Sequence, residues 1–375
     1  MSTTPLYDFA IIGAGMAGAS LAAELAPYAR VLVLEAEDAP GYHSTGRSAA
    51  FWEECYGGPG VVPLTLPSGA YLREHGFLRP RGGLYIGQAG DKAKMDAFVE
   101  SFAGTGVTIE RLGRAELITR VPHTREDWCD AIWEPACADI DVAGLHQHYL
   151  KALKVAGAEL VCRARVARLE GEEGGWRITC EGGETHRAAR VVNAAGAWAD
   201  TCAHMAGARP LGITPLRRTV VQLRVAPEAP DDLPLVLDIN GGFYFKSDNG
   251  RLWLSPHDEI PTVPCDAAPE EIDVALAIDR FETVTDWRIE AVERRWAGLR
   301  SFSPDRLPVY GPDPEIGGFV WFAGQGGFGI QTAPAAARLG AQIMLDLAPD
   351  AMTAAIDRQA YSPARYHEAK RRKAG

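Results

Sequence analysis

Apolar and polar positions alternate along this chain with two different periods. Residues 7–12 (YDFAII) form a short, largely apolar run of strand length, and residues 31–34 (VLVL) form a second. Between them, residues 19–26 place Leu21, Ala22 and Leu25 on one helical face. The pattern then lapses into a long stretch of turn formers and hydroxyls, residues 40–48, which runs on through Tyr56 to a Gly-Gly-Pro-Gly break at 57–60 and reads as a lid-like loop. Residues 84–86 predict a short strand and 92–102 a helix. Residues 142–156 predict a longer helix with Val142, Leu145, Tyr149 and Leu153 as its apolar stripe, stopped by Gly157. Three strand patterns follow at 164–169, 176–181 and 185–192, separated by paired glycines, as in an antiparallel meander. Residues 210–269 are rich in proline, with short β-like pieces at 219–225, 242–246 and 251–255. Residues 270–281 read as helix and 292–299 as extended chain. Residues 319–323 read as a strand, 324–329 as a glycine-rich loop and 332–347 as a helix.

The first strand and helix are joined by Gly13-Ala14-Gly15-Met16-Ala17-Gly18, and the second strand ends in Glu35. Strand, glycine turn, helix, strand and acid form the dinucleotide-binding fingerprint in its proper context. Gly13 allows the tight turn, Gly15 lets the backbone approach a pyrophosphate, and Gly18 lets the helix pack on the strand. The helix N-terminus offers N–H groups to phosphates, and Glu35 can accept hydrogen bonds from a ribose. The second glycine-rich strand–loop–helix near residue 330 points to FAD rather than NAD. A long cofactor must be gripped far from the first turn, and N–H donors there would stabilise negative charge on a reduced flavin. The expected fold is therefore α/β. A Rossmann-like FAD-binding domain is assembled from discontinuous segments 1–80, 141–210 and 296–375. An antiparallel β-rich substrate domain takes 81–140 and 211–295.

A formal net charge of -11 argues against nucleic acid as a partner and offers anionic membranes no attraction. No apolar run reaches the ~20 residues needed to span a bilayer, and the N-terminus enters the first strand without a signal-peptide pattern. The seven cysteines form no CxxC pair, which points to reduced thiols in the cytoplasm and no metal site. The basic end, residues 370–373, reads as a solvated tail.

The motifs GAGMAGAS (13–20), PGYHSTGRSAA (40–50), ADIDVAGLHQHYL (138–150), NAAGAW (193–198), RPLGITPLRR (209–218), FYFK (243–246), WAGLRSF (296–302) and QGGFGIQT (325–332) together resemble the D-amino-acid oxidase superfamily of FAD enzymes, most closely its bacterial D-arginine dehydrogenase branch. The resemblance implies roles by position. Gly13, Ala14, Gly15, Met16, Ala17, Gly18, Glu35 and Ala36 would hold the ADP half. His43, Ser44, Thr45, Gly46, Arg47, Ser48 and Ala49 would run along the flavin, with His43 in loop packing or flavin contact and not in proton transfer. Val166 would meet the adenosine, and Ala195, Gly196 and Trp198 would back the cofactor. Gly326, Gly327, Phe328, Gly329, Ile330, Gln331 and Thr332 would close over the pyrimidine ring. Tyr56, Arg218, Tyr244 and Arg300 match positions that hold a substrate carboxylate and wall the pocket, and Gly298, Gly327 and Gln331 lie beside substrate. A guanidinium can fix a carboxylate bidentately, which suits an α-amino acid whose Cα–H must face flavin N5. Arg218 follows Arg217, and residue type alone leaves open which of the two faces the site.

The resemblance implies oxidation of a D-amino acid to an imino acid by hydride transfer to FAD, and the paired glycine-rich units, with no cysteine in the loops placed at the flavin and Cys55 further out in the lid, imply that the FAD is non-covalently bound. It also implies an electron acceptor such as a quinone, a dye or an electron-transfer protein. Secondary amines, 2-hydroxy acids, or flavin binding without turnover are the alternatives. Gly83 stands where the D-arginine branch has a carboxylate for the guanidinium, and Phe51 and Glu53 replace a histidine and a threonine. Preference for a long cation is therefore expected to be lost. Glu53 and Glu54 read as a solvated loop face, or else as a lid anion folded over the pocket.

Overall fold

The computed structural model describes residues 6–366, so the basic segment 370–373 lies outside the described residues. The strand Leu6–Ile12 sits inside an eight-stranded sheet, paired in parallel with Val31–Leu34 on one side and Thr185–Asn193 on the other. Glu159–Val161 extends the parallel set beyond Val31–Leu34, and Phe319–Ala323 extends it beyond Thr185–Asn193. The strands are apolar throughout because both faces are covered. The helices Met16–Leu25, Val142–Val155 and Ala333–Leu345 lie together in one core with Leu21, Leu145, Tyr149, Leu339 and Phe322. A second core holds Leu32, Trp176, Ile178, Cys202 and Trp321, under the antiparallel extension Val166–Glu172 and Gly175–Cys180 and the helix Ala199–Met205. This is the discontinuous Rossmann-like arrangement expected from the fingerprint.

A second sheet of ten strands draws on residues 83–134 and 214–326. Its longest pair is Thr214–Ala226 against Arg288–Phe302, antiparallel, with Arg218 opposite Gly298 and Leu216 opposite Arg300. Opposed residues share a face, as do residues two apart, so the side chains of Arg218 and Arg300 leave the sheet on the same side. A domain division between residues 295 and 296 falls inside the strand Arg288–Phe302, whose last residues carry Gly298 and Arg300 toward the first sheet.

A small third sheet joins Phe51–Trp52 and Leu78–Pro80 to Ala138–Ile140. The lid segment expected as pure loop therefore contains a two-residue strand. The helix Val62–Glu74 was not anticipated, because Pro63 and Pro67 obscure its pattern. Pro63 occupies the first turn, where proline is tolerated. Gly69 lies against the Trp52 indole so closely that a Cβ would come 2.2 Å from the ring.

Candidate active site

A cavity of about 520 Å³ lies between the two large sheets. Gly13, Gly15, Met16 and Ala17 line it from the first turn, Glu35 and Ala36 from the second strand, and Val166 from the meander. Ala195, Gly196 and Trp198 line it from the loop after Asn193. Gly13 has φ +100°, and a Cβ there would lie 2.7 Å from the Ala194 carbonyl; a Cβ on Gly18 would lie 1.9 Å from the Gly13 carbonyl. The turn closes only with glycine at both positions. Gly18 and Ala14 shape the turn from behind and do not line the cavity. Glu35 accepts from the amides of Ala14 (2.8 Å) and Glu37 (3.0 Å), and the Ala14 carbonyl accepts from His146 Nε2 (2.9 Å). Each Glu35 oxygen keeps acceptor capacity for a ribose.

The lid contributes His43, Ser44, Thr45 and Ser48 to the lining. Thr45 Oγ1 accepts from the Met16 amide at the start of the first helix (2.9 Å), and Ser44 Oγ donates to the Leu299 carbonyl (2.7 Å), tying the lid to both sheets. His43 Nε2 lies 3.0 Å from Glu37 and its ring packs on Trp198. Three residues expected along the flavin are used otherwise. The Arg47 guanidinium turns away, donating to the Ala267 carbonyl (2.8 Å) and pairing with Asp266. The Gly46 amide closes the loop onto the Gly41 carbonyl (2.8 Å), and Ala49 is buried in a core cluster with Cys55, Tyr85 and Tyr244.

From the second glycine-rich loop, Gly326, Gly327, Gly329 and Ile330 line the cavity. Phe328 is buried against Phe302 and Tyr56, and Thr332 bonds back to the Phe328 carbonyl through its hydroxyl (2.9 Å). The amides of Thr332 and Ala333 serve the carbonyls of Phe328 and Ile330, so donors to the cavity must come from the preceding glycine-rich stretch and not from the helix's first residues. Gln331 grips the lid. Its Nε2 donates to the carbonyls of Glu53 (3.1 Å) and Tyr56 (3.4 Å), and its Oε1 accepts from the Glu53 amide (3.2 Å). The residues fit FAD, because one cavity joins the fingerprint turn and its acid to Leu299–Ser301 of the second sheet and to a glycine-rich loop.

At that second-sheet end one buried guanidinium, Arg300, lines the cavity, and a second, Arg218, shares its sheet face without being among the lining residues. Arg300 is 7% exposed and donates to backbone carbonyls of Arg47 (3.1 Å) and Leu299 (3.4 Å); among the described residues no carboxylate pairs with it. Burial pulls its pKa below the usual arginine value. Gly298 makes room for it, since a Cβ there would lie 2.7 Å from Arg300 Nη1. Arg218, 3% exposed, donates to the Asp258 carbonyl (2.8 Å) and pairs with Glu259 (3.0 Å), which Arg306 also holds. Arg217 instead pairs with Glu270 and Asp273, so of the two neighbouring arginines it is Arg218 that shares the sheet face of Arg300. Phe51 packs between Tyr56 and Tyr244, 5.6 Å from each ring. The Tyr56 hydroxyl reaches so near Gly327 that a Cβ there would come within 1.8 Å. His257 stands beside Tyr244, its pKa lowered to about 3 by burial and by Arg218.

Glu53 and Glu54 do not form a solvated face: Glu53 is fully buried and Glu54 nearly so. Glu53 accepts from the Tyr85 hydroxyl through one oxygen and its other oxygen has no hydrogen-bond partner; a carboxylate oxygen of Glu53, one of Glu134 and the Cys55 sulfur lie within 4.8 Å of one another. Glu134 is already engaged, accepting from the amides of Glu54 (2.7 Å) and Cys55 (3.3 Å). Burial raises both acids, Glu53 well above the carboxylate range and Glu134 to about 7. Gly83 faces this cluster: it pairs with Glu134 across the strands, and a Cβ would lie 3.1 Å from Cys137. The sequence reading missed Glu134. It also missed Tyr42, Arg165, Thr201, Cys202, Met205, Leu299 and Ser301, all of which line the cavity.

Residues 8–343 match the family model described as FAD dependent oxidoreductase. The chain belongs to this FAD-dependent oxidoreductase family. Within the family it is 27% identical over 376 residues to glycine oxidase of Geobacillus kaustophilus, covering 93% of this chain and 97% of that one. The crystal structure of glycine oxidase from the same organism superposes with a TM-score of 0.82 at 25% identity, over 96% of this chain and 98% of that one. L-2-hydroxyglutarate dehydrogenase of Escherichia coli K12 is 28% identical over 236 residues, 60% of this chain, so the match spans about half of that relative (55%). These matches carry the family and its FAD; similarity to the D-arginine dehydrogenase branch rests on the motifs alone. No helix of the described residues is long and apolar enough to cross a membrane.

Proposed function

We propose that the protein oxidises a small α-amino acid of D configuration to the imino acid, which hydrolyses to a 2-oxo acid and ammonia. The observation that carries this reading is Arg300: a buried cation without a carboxylate partner among the described residues, lining the cofactor cavity. Burying an uncompensated charge is expensive, so such a site favours an anionic ligand. Arg300 and Arg218 would hold the substrate carboxylate, and the hydroxyls of Tyr56 and Tyr244 would orient it. FAD, when bound, supplies the acceptor for the Cα hydride. With its low proton affinity, His257 is a poor base for a substrate ammonium, so solvent takes that proton.

The D configuration and the identity of the electron acceptor (a quinone, a dye or an electron-transfer protein) rest on the motif resemblance. Phe51, packed between Tyr56 and Tyr244, makes that wall apolar, which supports a small or apolar side chain. Gly83 opens no room there, because Cys137 and Glu134 fill the volume over it. A 2-hydroxy acid would use the same arginines, and similarity to a 2-hydroxyglutarate dehydrogenase favours keeping it as the second reading. Anaerobic reduction of the bound flavin by amino acids of both configurations and by 2-hydroxy acids tests the two against each other.

A further inference from the structure

We propose that Glu134 is a positioning residue that clamps the lid and so sets Tyr56 over the site. The segment 53–56 is held from two directions. Gln331 takes its carbonyls and the Glu53 amide from the side of the glycine-rich loop. From the opposite sheet, Glu134 accepts the next two amides, one on each oxygen. Tyr56 follows directly, and its hydroxyl closes on Gly327, a cavity residue. A fully buried carboxylate spent on two consecutive lid amides is an anchor, because amide N–H groups left unpaired there would each destabilise this arrangement of the segment.

The clamp carries its own protonation requirement. Glu53 and Glu54 from the lid, the Cys55 thiol, Tyr85 from the neighbouring strand and Cys137 from the following turn face Glu134. None of these groups is a cation. Glu53 gives one oxygen to Tyr85, and its other oxygen has no donor in reach. Two carboxylates this close cannot both ionise in a buried site, so a proton shared between Glu53 and Glu134 completes the network. The pair titrates as a unit. Both pKa values are raised above those of an unfolded chain, so the stability they contribute is present at low pH and is lost as pH rises. Loss of the shared proton loosens the lid.

This inference rests on the proposed carboxylate site, and two readouts separate the claims. Amide hydrogen exchange of residues 53–56 in the FAD-loaded protein reports the clamp alone. Pyruvate, which lacks a titrating amine, reports the site through perturbation of the flavin spectrum. In Glu134→Gln, the side-chain NH2 must face one of the two amides. Exchange at Glu54 and Cys55 should accelerate, and pyruvate affinity should fall, each about tenfold or more, with FAD content retained. In wild type both should loosen as pH rises. Glu53→Gln, with a permanent N–H donor toward Glu134 and a carbonyl for Tyr85, should flatten that pH dependence. Unaltered exchange in Glu134→Gln, or a pH dependence unaffected by Glu53→Gln, overturns the clamp. Faster exchange in Glu134→Gln with no pyruvate binding even in wild type supports the clamp and contradicts the carboxylate site.

Discussion

Replacing Arg300 by methionine should leave the fold intact or firmer while destroying substrate binding. This guanidinium is buried to 7% exposure, and among the described residues its hydrogen-bond partners are two backbone carbonyls at 3.1 and 3.4 Å. A charge buried without a counter-ion destabilises by several kcal/mol after relaxation. A charged hydrogen bond returns about 1.5–3 kcal/mol, and the longer of these two falls short of that. Methionine fills similar volume without the charge, so the two effects nearly cancel, with a small surplus in favour of the variant. Toward substrate the balance reverses, because a carboxylate would lose a charge-assisted partner in a desolvated pocket. That loss is about 2–5 kcal/mol, roughly thirtyfold to several thousandfold in affinity. Arg300→Lys should fall in the same range, since an ammonium cannot reproduce the planar fork. The assay pairs thermal unfolding of FAD-loaded protein with anaerobic titration of flavin reduction. A methionine variant that unfolds or sheds FAD would show that Arg300 is structural. A variant that keeps wild-type half-reduction would place the carboxylate elsewhere.

Three further outcomes follow from the geometry and the motifs. Asp139 accepts from Arg81 and Lys246, both almost fully buried. Burial opposes its ionisation, but those cations outweigh it and hold the pKa at about 2. Its contribution, about 2 kcal/mol, is therefore present above the ordinary aspartate pKa and is lost as pH falls through about 2. Asp139→Asn should lower stability by about 3–5 kcal/mol, and an unchanged Tm would refute this. FAD should be non-covalent: Cys55 is buried beside Glu134 away from the cavity, and Cys202, which lines it from the helix Ala199–Met205, is a buried thiol that burial keeps protonated and unreactive, so acid precipitation should release the colour, and a yellow pellet would contradict it. A dye or quinone should outperform dioxygen as acceptor, since the resembled branch consists of dehydrogenases; stoichiometric peroxide at an undiminished rate in air would reverse this.

The cofactor half was legible because its signals are local. Residues 13–18 fold into a turn that runs straight into the helix Met16–Leu25, and the run 319–323 appears as the strand Phe319–Ala323. Helix 142–156 was readable from its stripe and from Gly157. What escaped was non-local or masked. The helix Val62–Glu74 carries two prolines, and the burial of Glu53 depends on Glu134, 81 residues away and visible only once strands pair. Among adjacent Arg217 and Arg218, strand alternation puts only one on the sheet face of Arg300, and the register against Gly298 shows that it is Arg218. Arg47 sits in a motif whose neighbours line the cavity, yet Asp266, more than two hundred residues on, draws its side chain away.

The central claim is tested most directly by anaerobic reduction of the bound flavin across paired enantiomers. D-alanine and D-methionine should bleach it, D-arginine should hold no advantage over them, and the L forms should leave it oxidised. Reduction by 2-hydroxy acids or L-amino acids alone, or by none of these compounds, would contradict the account.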